Sequence, residues 1–280
     1  MSVWVNEAAG EKHQRLKALL AEMGSVVVAF SAGVDSTLVL KVALDTLGRA
    51  KVLAATGVSA SLAQRELDNV KELARLLDAS LELIETDEVS DPNYAANPAN
   101  RCYYCKNELY TKLTDLAKRR GFAAVANGVN VDDLGDWRPG LQAAKEWDVR
   151  APLVEAGFGK AEVRALAKDL GIPNWQKPAL ACLSSRVPYG TPVTVAVLSQ
   201  IERAEAFLYG KGLSNFRVRH HSKVARIEVE PEDLRRLLDE PLRTEVVTAL
   251  KKLGYNYVTL DLEGFRSGSG NEVLGAADRR

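Results

Sequence analysis

A two-domain α/β fold is what this 280-residue sequence predicts, and three observations carry the expectation. Short runs of β-branched and small apolar residues alternate with longer segments whose apolar residues recur at helical spacing. That alternation implies a parallel sheet with helices on both faces. The rhythm breaks at RVPYGTPVT (186–194), a Pro, Gly and Thr-rich passage that reads as a domain edge. The length also suits two cores better than one. Residues 1–190 are therefore expected to form the larger α/β domain and 191–280 a smaller α+β domain.

The elements follow in order. EKHQRLKALLAEM carries a capped apolar stripe and predicts an opening helix, and SVVVAF is a continuous apolar run that fits a strand buried on both faces. AKVLAATGV (50–58) and SLELIETDEV (80–89) read as further strands around the helical SLAQRELDNVKELARLLD. CKNELYTKLTDLAKRRG predicts a helix, AAVANGVN (123–130) a strand, and GKAEVRALAKDLGIP (159–173) another helix. Past the linker come the helix VAVLSQIERAEAFLYGKG, two short strands, NFRVRHH and KVARIEVE, joined at HHSK, and a Pro-started helix, PEDLRRLLD. A further helix, PLRTEVVTALKKLG, and the strand NYVTLDL complete the second domain. The tail from Gly264 reads as a poorly ordered end with a functional hook in RSGSGNE.

Charge bounds the partners. With 37 basic and 37 acidic residues the formal net charge is +0, so the basic excess that neutralises nucleic-acid phosphates is absent. Nucleic acid is not an expected partner. No apolar run approaches the ~18 residues of a membrane span, and MSVWVNEAAGEKHQRLKALL lacks a basic segment leading into an apolar core. A cytoplasmic protein with no membrane partner is expected. Three cysteines make a poor disulfide framework and stay thiols in a reducing compartment.

The most specific segment is AFSAGVDSTLVL (29–40). A buried strand ends, a turn of small residues follows, and a helix starts near Asp35 and Ser36, which leaves free backbone N–H groups for a phosphate at a helix N-terminus. Ser31, Ser36 and Thr37 add hydroxyls, Gly33 allows close approach, and the Asp35 carboxylate suggests a magnesium ion shared with the phosphates. Neither GxxxxGK[ST] nor GxGxxG is present. The segment resembles instead the SGGxDS loop of the PP-loop ATPases, with Ala32 in place of the first glycine of the pair. That resemblance implies a parallel five-stranded sheet and cleavage of ATP to AMP and pyrophosphate. NGVNVDDLGDWRPG (127–140) clusters Asn127, Asn130, Asp132, Asp133, Asp136 and Arg138 past a strand. The KAEVR helix resembles one of PP-loop synthetases, which puts Lys160 in reach of phosphate.

NRCYYCK places Cys102 and Cys105 at CxxC spacing between the basic Arg101 and Lys106, which favour thiolate, and Cys182 stands far downstream in PALACLSSRVPYG. Three thiolates do not complete a four-cysteine site. They suit a 4Fe-4S cluster with one iron left free of protein, or a zinc with one open position. A core role for Cys182 beside Ala181 and Leu183, and a thioredoxin-like dithiol at the CxxC, are the alternatives that the residues leave open.

Taken together, SAGVDS, NRCYYCK, NGVNVDDLGDWRPG, KAEVR, PALACLSSRVPYGTP, RVRHH and EGFRSGSGNE resemble the LarE family of ATP-dependent sulfur transferases in nickel-pincer cofactor biosynthesis, from about residue 10 to about 272. The resemblance implies adenylation of a carboxylate of pyridinium-3,5-biscarboxylate mononucleotide and its conversion to a thiocarboxylate. It implies ATP and magnesium, a sulfur donor of unstated identity, and a homo-oligomer, a hexamer. One subgroup sacrifices the sulfur of a single cysteine; the other holds a 4Fe-4S cluster on three, and the presence of Cys102, Cys105 and Cys182 points to the cluster type. Residues 1–190 then form the ATP-binding and adenylation domain, and 191–280 a substrate-binding and oligomerisation domain. Arg217 and Arg219 alternate on a strand and suit a ribose phosphate, while Arg186, Tyr103 and Tyr104 are further substrate contacts. His220 and His221, adjacent in one strand, point to opposite faces and make a poor metal site. A tRNA thiolase shares the loop and the cysteines but calls for a basic surface, and a nucleotide sensor would bind ATP without making pyrophosphate.

Overall fold

The computed structural model describes residues 3–135, 138–178, 181–266 and 268–275, the side chains of 3–9 excepted. The chain divides into two compact units, one of Met1–Ser59, Gln64–Glu88 and Cys102–Leu180, the other of Ala60–Ala63, Val89–Arg101 and Ala181–Arg280.

In the first unit the helix α1 (Val3–Met23) leads into the strand β1 (Val26–Ala29), followed by α2 (Val34–Leu47), β2 (Val52–Val58), α3 (Gln64–Leu76) and β3 (Ser80–Glu85). The short helix α4 (Pro92–Ala95) belongs to the other unit. The long α5 (Arg101–Arg120), β4 (Ala124–Ala126), α6 (Gly140–Glu146), α7 (Pro152–Glu155) and α8 (Lys160–Asp169) complete the first. The strands pair in parallel in the order β3-β2-β1-β4. Because side chains alternate across a strand, Val26 and Val28 enter one core with Leu16, Leu38 and Val163, while Val27 enters another with Leu113 and Ala143. Helices α1, α2 and α8 thus cover one face and α5 and α6 the other. Such double burial explains why β1 is apolar at every position.

The fifth strand of the expected sheet is not formed among the described residues. Four strands pair, and beyond β4 there is a single parallel bridge, Ala126 to Arg150. Asp148 adopts a φ of 50° and Pro152 opens α7, so too few extended residues remain on either side of Arg150 to extend the bridge.

In the second unit, α9 (Val195–Gly210) is capped by Thr194, whose hydroxyl accepts from the Val197 N–H at 3.2 Å. The strands β5 (Phe216–His221) and β6 (Val224–Val229) pair antiparallel, α10 (Pro231–Leu238) and α11 (Leu242–Lys252) follow, and β7 (Tyr257–Leu260) joins β6 in parallel. The mixed sheet packs on α9 and α11 through Leu208, Val218, Ile227 and Leu250. The tail is held rather than loose as far as it is described: the Phe265 N–H donates to the Val229 carbonyl at 2.8 Å, and Ser269 is buried. Ser267 of RSGSGNE lies outside the described residues.

Candidate active site

The first unit places its polar cluster past the carboxyl ends of β1 and β4, where ligands of parallel sheets bind. After β1 the Phe30 carbonyl accepts from the Thr56 hydroxyl at 2.6 Å, and the chain turns through Ser31, Ala32 and Gly33 into α2. Ala32 is wholly buried and adopts a φ of 54°, the left-handed region that glycine enters freely and a Cβ resists. The position where the resembled motif has glycine is therefore one that needs glycine geometry. The Gly33 carbonyl accepts from the Thr37 N–H at 3.0 Å, the Thr37 hydroxyl at 2.7 Å and the Ser36 hydroxyl at 3.2 Å. Ser31 and Ser36 hydroxyls lie 3.2 Å apart. This loop is tied to itself, and its amides sit at the positive end of the α2 dipole.

The segment after β4 closes over that helix end. A Cβ at Gly128 would lie 2.5 Å from the Ser36 nitrogen and 2.8 Å from its Cα, so only glycine allows this approach. Asn130 donates its amide N–H to Asp35 Oδ1 at 2.7 Å. Burial lifts the Asp35 carboxyl above its ordinary range against that hydrogen bond, and the charge of Asp133 adds to the lift. Asp133 in turn lies 3.3 Å from Lys160 Nζ and 2.8 Å from an Arg138 nitrogen. Asp132 accepts from the Lys160 backbone N–H at 2.6 Å, and Glu162 from that of Gly159 at 2.9 Å. Asn127 is buried, its Oδ1 accepting from the Val129 N–H at 3.0 Å. Asp136 lies outside the described residues. Ser31, Ala32, Gly33, Asp35, Ser36 and Lys160 are thus brought into one cluster, with Asn127 shaping the segment beside it. An acidic, half-buried Asp35 next to Asp133 fits a divalent cation in donor chemistry.

The same segment returns to the cysteine pair. A Cβ at Gly140 would lie 2.8 Å from Lys106 Cγ and 3.5 Å from the Cys102 carbonyl oxygen. Cys102 is exposed and Cys105 half-buried on the first turns of α5, and i,i+3 spacing puts both thiols on one helical face. Tyr103 donates to Glu146 at 2.8 Å and meets Tyr104 edge to face, ring centroids 5.5 Å apart.

Within the second unit Cys182 is exposed at the head of a short turn, Leu183–Arg186. Arg186 is buried and fills its fork: it pairs with Glu205 at 2.9 and 3.1 Å and donates to the carbonyls of Ala181 at 2.7 Å and Cys182 at 3.0 Å. Arg219 pairs with Glu228 at 2.9 and 3.0 Å and donates to the Ser185 carbonyl and the Ser269 hydroxyl, both at 2.7 Å. Arg217 stands opposite Glu228 in the β5–β6 register, with its guanidinium 4.8 Å from the Phe265 ring centroid. Burial and the like charges of Arg186 and Arg219 push its pKa down to about 10. The surplus positive charge of the cluster therefore falls on Arg217, as an anion site requires. His220 is buried with its Nδ1 3.2 Å from the Tyr255 hydroxyl, which makes it a packing residue.

The thiols fit an iron-sulfur cluster in donor chemistry, since none is disulfide-bonded and two share a helical face. Among the described residues no group of three or more His, Cys, Asp or Glu is disposed to hold a metal ion. Sequence reasoning did not single out Gly128, Asn174, Lys177, Glu205 or Glu228. An NG pair after a strand hints at Gly128. The others have no local signal.

Comparison with known proteins decides the family. Over 263 residues the chain is 43% identical to pyridinium-3,5-bisthiocarboxylic acid mononucleotide synthase of Lactiplantibacillus plantarum, covering 94% of this chain and 95% of that protein. This chain belongs to the LarE family. It is also 46% identical over 263 residues to the uncharacterized protein slr1717 of Synechocystis sp., covering 94% and 98% of the two chains. A more distant relative, the uncharacterized protein MJ0830 of Methanocaldococcus jannaschii, is 29% identical over 242 residues, 86% of this chain and 91% of its own. No family model matches.

Proposed function

We propose that this chain is an ATP-dependent sulfur transferase that converts carboxylates of pyridinium-3,5-biscarboxylate mononucleotide to thiocarboxylates. The carrying observation is the 43% identity along 94% of the chain to a synthase named for the bisthiocarboxylic product. A substrate carboxylate oxygen attacks the α-phosphorus of ATP and pyrophosphate leaves; a sulfur nucleophile then attacks the acyl carbon and AMP leaves with that oxygen. Each partner has residues suited to it. The loop amides at Ala32–Ser36 take pyrophosphate, Asp35 holds magnesium, and Lys160, beside Asp133, neutralises phosphate charge. Arg217, with the pairs around Arg219, takes the nucleotide phosphate, and Arg186 holds the Cys182 turn by its carbonyls. Tyr103 and Tyr104 flank the pyridinium ring's entry to the thiols. Cys102, Cys105 and Cys182 hold a 4Fe-4S cluster, which when bound supplies sulfur loaded from an external donor. The reading places the protein in the cytoplasm as a homo-oligomer.

A second reading is favoured by one observation, the exposed free thiol of Cys182. In it Cys182 gives up its own sulfur. One experiment separates them: protein purified without oxygen is assayed for iron and sulfide, then incubated with ATP, magnesium and the biscarboxylate mononucleotide. About four irons per chain, lost in Cys102→Ala, with thiocarboxylate formed by wild type, supports the cluster reading. Dehydroalanine at Cys182 in iron-free protein supports the second. No substrate-dependent AMP from either preparation overturns both.

A further inference from the structure

The left-handed Ala32 raises the question of what holds it there. Two side chains from 142 and 145 residues downstream reach its carbonyl: Asn174 donates its amide N–H at 3.0 Å, and Lys177 its ammonium at 3.2 Å. The amide orientation of Asn174 follows from its partner, since a carbonyl oxygen only accepts. The same Nδ2 lies 3.1 Å from the Thr37 hydroxyl, which itself donates to the Gly33 carbonyl at 2.7 Å. Lys177 is held in place by Glu66 at 2.8 Å. Burial works against the Glu66 carboxylate, but Lys177, together with Asn69 and Arg65, outweighs it and keeps that carboxyl below its ordinary range. The segment is itself pinned from α8, where Arg164 donates to the carbonyls of Trp175 at 2.8 Å and Lys177 at 2.9 Å.

We infer that Asn174 and Lys177 are positioning residues for the pyrophosphate loop, and that they hold the Ala32 carbonyl inward so that a residue with a Cβ keeps the left-handed conformation that glycine would adopt unaided. The inference rests on the proposed nucleotide role of the loop and deepens it. With the Ala32 carbonyl held by two donors, the neighbouring amides are fixed for an anion before it arrives. Without them, the torsional preference of alanine draws residues 32–33 toward negative φ and moves those amides off the phosphate. A glycine at position 32 has no such preference, so the two donors matter less to it.

The test is a double-mutant cycle. Asn174→Ala and Lys177→Gln are made alone and with Ala32→Gly, and each protein is titrated with inorganic pyrophosphate and with Mg-ATP in a calorimeter and unfolded thermally. Each single variant is expected to weaken both ligands on the order of tenfold, the weight of the left-handed penalty for a Cβ-bearing residue. Adding Ala32→Gly is expected to restore most of that loss and to make the melting-temperature shifts non-additive. Additive effects in both readouts, or single variants that bind both ligands as wild type does, overturn the inference. A wild type that binds neither ligand defeats the nucleotide reading, while the unfolding cycle still decides whether the two side chains hold Ala32. If Lys177→Gln does not fold, Asn174→Ala alone closes the cycle.

Discussion

Gly128→Ala is the most direct test of the geometry around Asp35. Its φ lies outside the left-handed region, so alanine is conformationally admissible and the variant tests steric overlap alone. The added Cβ would meet Ser36 N at 2.5 Å, Ser36 Cα at 2.8 Å and the Asp35 carbonyl carbon at 2.9 Å. All three are backbone atoms at the start of a helix, so no rotamer change relieves the contact. Overpacking of this kind costs roughly 1–3 kcal/mol. Displacing the segment also lengthens the Asn130 to Asp35 hydrogen bond, now 2.7 Å, and hydrogen bonds to charged groups contribute roughly 1.5–3 kcal/mol. With partial relaxation a loss of about 2–4 kcal/mol is expected, which lowers the unfolding temperature by roughly 3–7 °C at this size. Calorimetric unfolding checks it, with Gly135→Ala as control: nothing lies within 4 Å of that Cβ, and its effect should stay within about 0.5 kcal/mol. Mg-ATP affinity should fall at least about tenfold in Gly128→Ala, since a shift of the Ser36 amide disturbs the helix end offered to phosphate. If Gly128→Ala melts with wild type and binds ATP equally well, the close approach of the two segments is refuted.

Three further outcomes follow from the charges. Asp35 takes a proton more readily when folded than unfolded, so its ionisation lowers stability as pH rises through its raised native pKa. Asp35→Asn should therefore melt higher than wild type at neutral pH, with the gain vanishing below about pH 4, while losing magnesium-dependent ATP binding; a gain that persists in acid would contradict this. Arg186→Ala leaves Glu205 buried without its partner and should cost about 3–5 kcal/mol in urea unfolding, whereas the double change Arg186→Met with Glu205→Gln should cost clearly less. Arg217→Met removes a desolvated cation whose pKa is already down to about 10, so the melting temperature should hold or rise while affinity for the mononucleotide falls at least about tenfold. Unchanged affinity would take Arg217 out of the phosphate site.

Much of this was legible in the sequence because periodicity is local. The run VVVA could only be a doubly buried strand, and the β5 and β6 strands fall where alternation put them. The loop at Ser31–Ser36 was legible because small residues between a strand and a helix leave few other conformations. What was not legible depends on separation along the chain. Glu205 and Glu228 are unremarkable glutamates in a helix and a strand, yet they decide which of three arginines keeps an uncompensated charge. The fifth strand came from the resemblance and not from periodicity, and among the described residues it is reduced to one bridge at Arg150, between Asp148 and Pro152. Ala32 shows the limit most sharply. The motif marked it as a departure from glycine, and a substitution read alone predicts a loop of altered shape. The structure keeps the glycine conformation instead, because Asn174 and Lys177 supply the two donors that oppose the strain. Departure and compensation lie more than 140 residues apart in the chain, so each looks arbitrary until both are seen on one carbonyl oxygen.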